Sequence, residues 1–340
     1  MQYLTLDDGD FSYATVETVA PNVRRVLAEN PSKFTYRGTG TYIIGDGDVV
    51  VIDPGPRLDS HREALASALR GEVVRAILVT HCHADHSPLA ARLAAESDAP
   101  TIAQGPHGDA TWDLGDDPPE LEPARAEGSA SDEAGVGADA TGQGGAGGEA
   151  PTVVEESTDT DFTPDVACVT GDTVATGRGW TMSAIHTPGH TSNHTCFVLD
   201  DGTRRTIFTG DHVMGWSTTV VSPPDGDMAA YIESLRVVAG RHDDVAIPTH
   251  GPPIPDPTTY IDALIAHRLD REAQVLEGVR RGLTTLPALV LDLYADVRQE
   301  LHKPAARSVL AHLVKLVDDG MVTIDGPEEH PRLDGSFSAV

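Results

Sequence analysis

The sequence predicts an α+β fold made of a large strand-and-helix domain and a small helical C-terminal module. Strand patterns alternate with helix patterns in two halves of the chain, and a low-complexity stretch separates the halves. Three helix patterns and a short strand pattern then follow, an order typical of a winged helix. With 340 residues, 39% of them hydrophobic, the chain can bury one large core and one smaller core.

The first half opens with a predicted hairpin. Residues 41–44 and 49–53 are short apolar runs joined by alternating glycine and aspartate, which favours a tight turn. Residues 60–69 have helical spacing, and 89–95 form a short alanine-rich helix pattern. Between them, residues 76–80 have the pattern of a buried strand that runs straight into a histidine cluster.

The second half and the C-terminal module continue the pattern. Strands are predicted at 166–169, 182–185, 195–199, 205–208 and 245–248, and a helix at 228–239. The module has predicted helices at 262–282, 286–293 and 304–319 and a strand at 321–324. These elements predict a domain over 1–262, a winged-helix-like domain over 263–325 and a tail over 326–340.

An acidic insertion is predicted at 109–165. This range holds sixteen acidic residues and one basic residue, and its middle, 135–148, is mostly glycine and alanine. Such composition cannot bury enough apolar surface to order itself, so disorder is predicted. A mobile lid over a functional site is one interpretation, and a tolerated surface insertion is the favoured one.

The charge balance limits the partners of this chain. It has 53 acidic against 24 basic residues, a formal net charge of −29 and only three lysines. Such a surface repels nucleic-acid phosphates at low salt. The composition resembles that of proteins from extreme halophiles, whose dense carboxylates keep them hydrated.

The cysteines and the N-terminus bear on the cellular location of the protein. Cys82, Cys168 and Cys196 fit no paired motif, which favours a reducing environment. The N-terminus lacks the basic and apolar regions of a signal peptide, and no apolar run has the length of a membrane span. A cytoplasmic protein without a membrane partner is therefore predicted, and no pattern indicates an oligomeric state.

The histidine cluster directly follows the predicted strand 76–80. It contains His81, His83, Asp85 and His86. In an extended loop alternate residues point the same way, so His81 and His83 can share one metal ion. Asp85 and His86 then face a neighbouring ion, and imidazole nitrogen with carboxylate oxygen is a ligand set that zinc prefers.

Three further candidate ligands lie in glycine- or proline-containing turns after later strands: His190, Asp211 and His250. One histidine in such a turn is usually an ordinary loop residue. The histidine cluster and these three turns, in this order, resemble the metallo-β-lactamase superfamily over roughly residues 15–265. The resemblance implies a four-layer αββα sandwich and a binuclear hydrolase.

The resemblance also implies a role for each candidate residue. His81, His83 and His190 would hold one Zn²⁺, and Asp85, His86 and His250 a second, with Asp211 bridging them. Two such cations make water nucleophilic towards an ester-type bond, and Asp85 and Asp211 are the predicted catalytic residues. Asp53 is predicted to fix the histidine loop, Cys82 to pack away from the metals, and His194 either to support the ligands or to pack.

Three finer motifs resemble the β-lactamase-like protein 2 group: residues 30–42, 210–221 and 267–272, which opens its winged helix. Gly40 departs from the group, which has asparagine there. Relatives in that group cleave single-stranded RNA or hydrolyse thioesters. The sequence-based interpretation is therefore a nuclease for single-stranded RNA, with a thioester or lactone hydrolase as the alternative.

The C-terminal module bears on this choice. Residues 260–319 hold eight basic and nine acidic residues, near balance in a strongly acidic chain. Helical spacing places Arg307, Ala311 and Lys315 on one face. That face is predicted either to bind nucleic acid or to be the solvated surface of a substrate-gating domain. A nucleic-acid-binding module with a purely structural metal is disfavoured, because all seven ligand positions are filled.

Overall fold

Two β-sheets form the centre of the computed structural model, which describes residues 2–7, 9, 11–109, 111–118 and 157–340. The first sheet has seven strands in chain order: β1 Val16–Ala20, β2 Val23–Leu27, β3 Gly40–Asp46, β4 Asp48–Ile52, β5 Val73–Leu78, β6 Thr101–Ala103 and β7 Val166–Ala167. The second has five, in the order β12-β11-β10-β9-β8: β8 Thr173–Gly177, β9 Trp180–His186, β10 Thr195–Asp200, β11 Arg205–Gly210 and β12 Val245–Pro248.

The side-chain alternation of the strands explains why the sheets pack face to face. In β4, Val50 and Ile52 join the core between the sheets, where they meet Phe197 and Phe208 of the second sheet. Val49 and Val51 of the same strand point to the opposite face of the first sheet. Because successive strand residues face opposite sides, a strand that is apolar throughout needs cover on both faces.

Helices supply that cover. Helices α1 Asp59–Ala68 and α2 Ala90–Ser97 pack on the outer face of the first sheet. Helices α3 Met228–Ala239 and α4 Pro257–Arg280 pack on the outer face of the second. The layers therefore run helix, sheet, sheet, helix, as predicted. Among the described residues, no helix combines the length and apolar character needed to cross a bilayer.

The C-terminal module is a winged helix that begins within α4. It adds α5 Leu286–Leu293, α6 His302–Asp318 and a hairpin of β13 Val322–Ile324 with β14 Phe337–Ala339. The predicted boundary at 262/263 falls inside the continuous helix α4. The predicted tail over 326–340 is part of the module, because its Phe337 is fully buried in the helical core.

Both ends of the predicted insertion 109–165 are structured, contrary to the disorder predicted for the whole range. Leu114 packs against the winged-helix core, and its carbonyl accepts a hydrogen bond from Leu333 N at 2.7 Å. At the other end Phe162 is buried beneath α1 and α2, and Asp165 accepts hydrogen bonds from Thr101. The centre of the range, including 135–148, lies outside the described residues.

Candidate metal centre

Strand ends position the seven candidate ligands at one edge of the sandwich. The 81–86 loop follows β5, and His190, Asp211 and His250 follow β9, β11 and β12 within four residues of each strand's end. Strand β11 pairs with β12 in parallel, and β9 and β11 are both antiparallel to β10. The carboxyl ends of β9, β11 and β12 therefore share one edge, and the fold brings all seven side chains together.

The first ligand group consists of three histidines and one aspartate. His83 Nδ1 lies 3.0 Å from His81 Nε2 and 3.2 Å from His190 Nε2. Asp211 Oδ2 lies 3.9 Å from His190 Nε2. In a tetrahedral zinc site with bonds of about 2.1 Å, neighbouring ligand atoms are about 3.4 Å apart. These four side chains fit that spacing.

The second group contains Asp85, His86 and His250 and shares Asp211. His250 Nε2 lies 3.2 Å from Asp85 Oδ2 and 3.3 Å from Asp211 Oδ1. His86 Nε2 lies 3.4 Å from Asp85 Oδ2 and 3.6 Å from Asp211 Oδ1. One oxygen of Asp211 therefore faces each group, the arrangement required of a bridging carboxylate.

Three of the histidines form hydrogen bonds through Nδ1, which leaves Nε2 facing the site and free to bind metal. His190 Nδ1 donates to Val220 O at 2.7 Å, and His250 Nδ1 donates to Gly38 O at 3.0 Å. His86 Nδ1 is likewise 2.9 Å from Asp53 Oδ2. An imidazole that donates through Nδ1 presents a lone pair at Nε2, which is the form that ligates metals.

Two buried atoms in the second group have no hydrogen-bond partner among the described residues: His86 Nε2 and Asp211 Oδ1. Leaving a buried acceptor unpaired costs about 1–3 kcal/mol. Both atoms face the centre of the ligand group, so a metal ion would satisfy them. The donor set and the unpaired atoms fit a binuclear metal centre.

The electrostatics of the site also favour cations. Burial alone would disfavour a charged His250, but Asp211 and Asp85 outweigh it and raise the pKa of His250 to about 10. Burial likewise opposes ionisation of Asp211, yet His250 and His86 hold its pKa well below the usual range. In the first group, burial and then His190 lower the pKa of His83 to about 3. Asp211 and Asp85 therefore attract positive charge at His250, which a bound cation would supply with release of the imidazole proton, whereas His83 is already in the neutral form that binds metal.

Asp53 fixes the histidine loop, the role predicted for it. Its Oδ1 accepts from Thr80 N at 2.8 Å, and its Oδ2 accepts from Thr80 Oγ1 at 2.8 Å and Thr249 Oγ1 at 3.1 Å. The same oxygen faces His86 Nδ1. This fully buried carboxylate thus joins the loop after β5 to the loop after β12.

Changing Asp53 to asparagine should weaken metal binding at the second group by about 10- to 100-fold. The amide NH₂ would face hydrogen-bond donors, so His86 and Thr80 would lose their orientation. Competition with a chelating dye measures the effect, and Asp48→Asn, an exposed carboxylate paired with Arg75, is the matched control. Equal affinity in the two variants would show that Asp53 does not position the ligands.

A second support was not found from the sequence. Asn30 binds Thr39 through both atoms of its amide, at 2.9 Å each, and Thr39 Oγ1 donates to Asp85 Oδ2 at 2.8 Å. This series of hydrogen bonds gives Asn30 and Thr39 of the 30–42 motif a role. Together they orient Asp85, which lies 46 positions after Thr39.

A third support runs from α4 to the main chain of Asp211. Arg268 of α4 is buried and donates to the carbonyl oxygen of Thr219. Thr219 Oγ1 in turn donates to Asp211 O at 2.7 Å and His212 O at 3.0 Å. Arg268 of the 267–272 motif therefore braces the Asp211 loop, a role that its place in a predicted winged helix did not indicate.

The structure also decides between the two roles predicted for His194. Its Nε2 accepts a hydrogen bond from Asp211 N at 3.3 Å, and its Nδ1 lies 2.9 Å from Thr187 Oγ1. A Cβ at Gly210, where φ is +51°, would lie 2.6 Å from His194 Nε2, so glycine lets the ring approach. His194 thus supports the ligand turns. Cys82 faces away from the ligands, as predicted, and its Sγ contacts Asn193 Nδ2 at 2.9 Å.

Residues 157–159, within the predicted insertion, brace the histidine loop. Ala84 N donates to Ser157 O at 2.8 Å, and Asp159 N donates to Cys82 O at 2.7 Å. Ser87 Oγ donates to Asp159 Oδ2 at 2.7 Å. The second end of the insertion therefore belongs to the candidate centre.

Two deletions should behave differently for this reason. Removing 122–152 leaves every described residue in place, so we expect the chain to keep its fold and its metals. Removing 116–160 eliminates the brace at 157–159 and should lower metal affinity about 10-fold. Elemental analysis after dialysis against a weak chelator, with circular dichroism as the folding check, measures both. Equal metal retention would contradict a role for the brace.

A cavity of about 380 Å³ opens onto the first ligand group. His83 and His190 form one wall, and Phe34 and Val220 contribute apolar surface. The winged helix supplies another wall through Arg307 and its neighbour Pro304. The cavity can therefore hold a small molecule between the two modules, with its reactive group beside the candidate metals.

The basic face predicted on α6 is absent. Ala311 is buried in the core beneath α3 and α4, and Lys315 pairs with Glu272 at 3.0 Å and Asp319 at 2.6 Å. Arg307 lines the cavity and lies 3.2 Å from Asp117. Helical spacing gave the right face, but that face contacts the rest of the protein, so it offers no basic surface to nucleic acid.

Comparison with known families agrees with this geometry. The sequence matches the model of the Metallo-beta-lactamase superfamily over residues 36–250. The chain belongs to this superfamily. A second model, the Beta-lactamase associated winged helix domain, matches residues 285–327. This metallo-beta-lactamase superfamily protein therefore combines a hydrolase-family domain with a winged helix. The fold predicted from the sequence is confirmed.

Several named relatives are similar over most of the chain. A lactamase-like protein, ptaB, from Pestalotiopsis fici is 28% identical over 321 residues, covering 90% of this chain and 83% of the relative. An atrochrysone carboxyl ACP thioesterase from Aspergillus chevalieri is 28% identical, covering 91% and 85%. A second thioesterase of that name, nsrC from Aspergillus novofumigatus, is 26% identical, covering 92% and 84%.

Solved structures share the whole fold. A beta-lactamase domain protein from Burkholderia ambifaria superposes with a TM-score of 0.68 at 20% identity, over 97% of this chain and 94% of that one. A metallo-beta-lactamase family protein from Thermus thermophilus gives a TM-score of 0.65 at 20% identity, over 95% and 100%. Both the sandwich and the winged helix therefore recur together in other proteins.

Proposed function

We propose that this protein is a binuclear metal-dependent thioesterase that hydrolyses an acyl thioester, such as one carried by an acyl carrier protein. The observation that carries the proposal is the cavity beside the first ligand group, which residues of both modules line. Relatives named as acyl carrier protein thioesterases, similar over about nine tenths of the chain, favour a thioester among the bonds that such a site can hydrolyse.

Zinc is the proposed metal, on the basis of the imidazole and carboxylate ligand set, and the cytoplasm is the proposed location. Two bound cations would supply Lewis-acid chemistry, polarising a carbonyl group and lowering the pKa of water. His81, His83 and His190 would hold one ion, and Asp85, His86 and His250 the other, with Asp211 between them.

The protein's own groups have separate tasks in this reaction. Water adds to the thioester carbonyl carbon, the C–S bond breaks, and the products are a carboxylic acid and a thiol. Asp85 is the most exposed ligand, with 23% of its side chain accessible, so it is placed to accept the proton of the attacking water. The departing thiolate takes up the proton held by Asp85 and becomes the thiol, while the cavity walls keep the acyl group in place.

Single-stranded RNA, the substrate class predicted from the sequence, is not proposed. The named relatives are lactamase-like proteins and thioesterases, and the helix predicted to grip RNA has its cations in ion pairs or at the cavity. A cavity of about 380 Å³ suits a small acyl group.

The test is a substrate panel on metal-loaded protein at low and high salt. An acyl thioester of N-acetylcysteamine, a lactone, and a labelled single-stranded RNA are each incubated with the enzyme and with its His83→Ala, His190→Ala double variant. We expect thioester turnover by the wild type, with two metals per chain by elemental analysis. The variant should lose its turnover and the ion of the first ligand group. Cleavage of RNA with an intact thioester at every salt concentration would overturn the proposal.

A further inference from the structure

Arg307 lines the cavity, and two of the chain's few lysines lie near this wall, although Asp117 and Asp225 line the cavity as well. The protein has 24 basic against 53 acidic residues and only three lysines. Two of the lysines, Lys33 and Lys303, lie near each other, and after burial Lys303 is the main cause that lowers the pKa of Lys33. Lys33 lies over the ring of Phe34, which lines the cavity together with Arg307.

Two of these cations, Arg307 and Lys303, flank the carboxylate of Asp117. Arg307 Nη2 lies 3.2 Å from Asp117 Oδ1, and Lys303 Nζ lies 3.6 Å from Asp117 Oδ2. Both cations come from the first two turns of α6, so the positive end of the helix dipole adds to their field. Asp117 also lines the cavity, which places a carboxylate with two cationic neighbours beside the space proposed for substrate.

The ion pairs of Asp117 are weak enough for another anion to take its place. The three side chains keep 31%, 35% and 42% of their surface accessible for Arg307, Lys303 and Asp117 respectively. Ion pairs with this much exposure contribute little to stability, about 0–1 kcal/mol. A substrate anion of similar shape, with two or three oxygens, can therefore replace Asp117 at low cost.

We infer that Arg307 and Lys303 bind an anionic group of the substrate, a phosphate or a carboxylate, which displaces Asp117. The inference rests on the proposed thioesterase function, because it treats the cavity as the acyl thioester site. The anion then lies against the winged helix while the thioester lies beside His83 and His190. This gives the winged helix a role in selecting substrate.

The anion has two chemical sources, which three thioesters distinguish. An acetyl thioester of phosphopantetheine carries only the phosphate of a carrier arm, and a succinyl thioester of pantetheine carries only a carboxylate on the acyl group. An acetyl thioester of pantetheine carries neither. KM and kcat are measured on each with wild type, Arg307→Ala and Asp117→Asn.

The two variants should change KM in opposite directions. Arg307→Ala should raise KM about 10-fold for one of the two anionic thioesters, at least several times its effect on the neutral one. Asp117→Asn removes the competing carboxylate and should lower KM for that same thioester about 3-fold. If the pair only anchored residues 111–118, both variants would break it and KM would move in the same direction. That result, or equal effects on all three thioesters, would overturn the inference.

Binding without turnover separates this inference from the proposed function. Calorimetric titration with phosphopantetheine, pantetheine and succinate reports the anion site directly. We expect tighter binding of one anionic ligand than of pantetheine, weakened about 10-fold by Arg307→Ala. The matched control is Arg281→Ala, which removes an arginine paired with Asp292 at 2.6 Å, away from this cavity. Equal loss in both variants, or no anion preference, would contradict the site even if thioesters are hydrolysed.

Discussion

Replacing Asp211 with asparagine should lower turnover about a thousandfold or more and reduce the metal content from two ions per chain to about one. The carboxylate presents one oxygen to each ligand group, 3.3 Å from His250 Nε2 and 3.9 Å from His190 Nε2. An amide keeps one oxygen, but its NH₂ has no lone pair for a metal. One group therefore loses a ligand, and the two ions lose their link.

The control for Asp211 is Asp243→Asn, which also alters a buried carboxylate. Asp243 pairs with Arg241 at 2.8 Å and has no contact with the ligand groups, so its variant should keep both metals and most of its turnover. Elemental analysis and steady-state kinetics on the same preparations give both values. Two ions and near-normal turnover in Asp211→Asn would exclude the bridging role.

Changing Phe337 to alanine should cost about 3–5 kcal/mol of unfolding free energy. The ring is fully buried against Leu313 and Val290 of the winged helix, so truncation leaves a cavity in a core with few other aromatic groups. Urea denaturation followed by circular dichroism measures the loss.

Val340→Ala is the control for this loss. Val340 lies three residues further on with 80% of its surface exposed, and its change should stay within about 0.5 kcal/mol. If Phe337→Ala destabilised the protein by less than about 1 kcal/mol, the last residues would be a tail after all, as the sequence suggested.

The candidate ligand positions were predictable because each depends on local sequence. His190, Asp211 and His250 each follow a recognisable strand within a glycine- or proline-containing turn. The order of the motifs in the family then indicated which residues share a metal ion. The supports of these ligands depend on distant contacts. Asn30 acts through Thr39 on Asp85, and Arg268 acts through Thr219 on Asp211, so no periodicity in the sequence could reveal either chain of hydrogen bonds.

The missed elements have a common cause. Strand β2 contains two adjacent arginines, which obscure its alternation, and Arg25 is nonetheless buried with Glu17 as its partner. Strand β14 is only three residues long and forms by pairing with β13 across a long loop. In both cases tertiary contacts, which a local pattern does not contain, decide the structure.

The error over the basic face has the same origin. Spacing correctly placed Arg307 and Lys315 on one side of α6, but it could not show which side meets the rest of the protein. Glu272, which pairs with Lys315, is 43 positions away, and Asp117, which pairs with Arg307, is 190 positions away.

Helix α4 affects how the substrate preference of this enzyme can evolve. Its first half, with Ile261 and Leu264, is part of the core beneath the second sheet, and its last turns, with Val275 and Val279, are part of the winged-helix core. One continuous helix of 24 residues, about 36 Å long, thus holds two walls of the cavity in fixed register. Mutations at the start of α6 can reshape one wall while the ligands opposite keep their geometry, so new substrate preferences can arise by drift in the appended module without rebuilding the reaction centre.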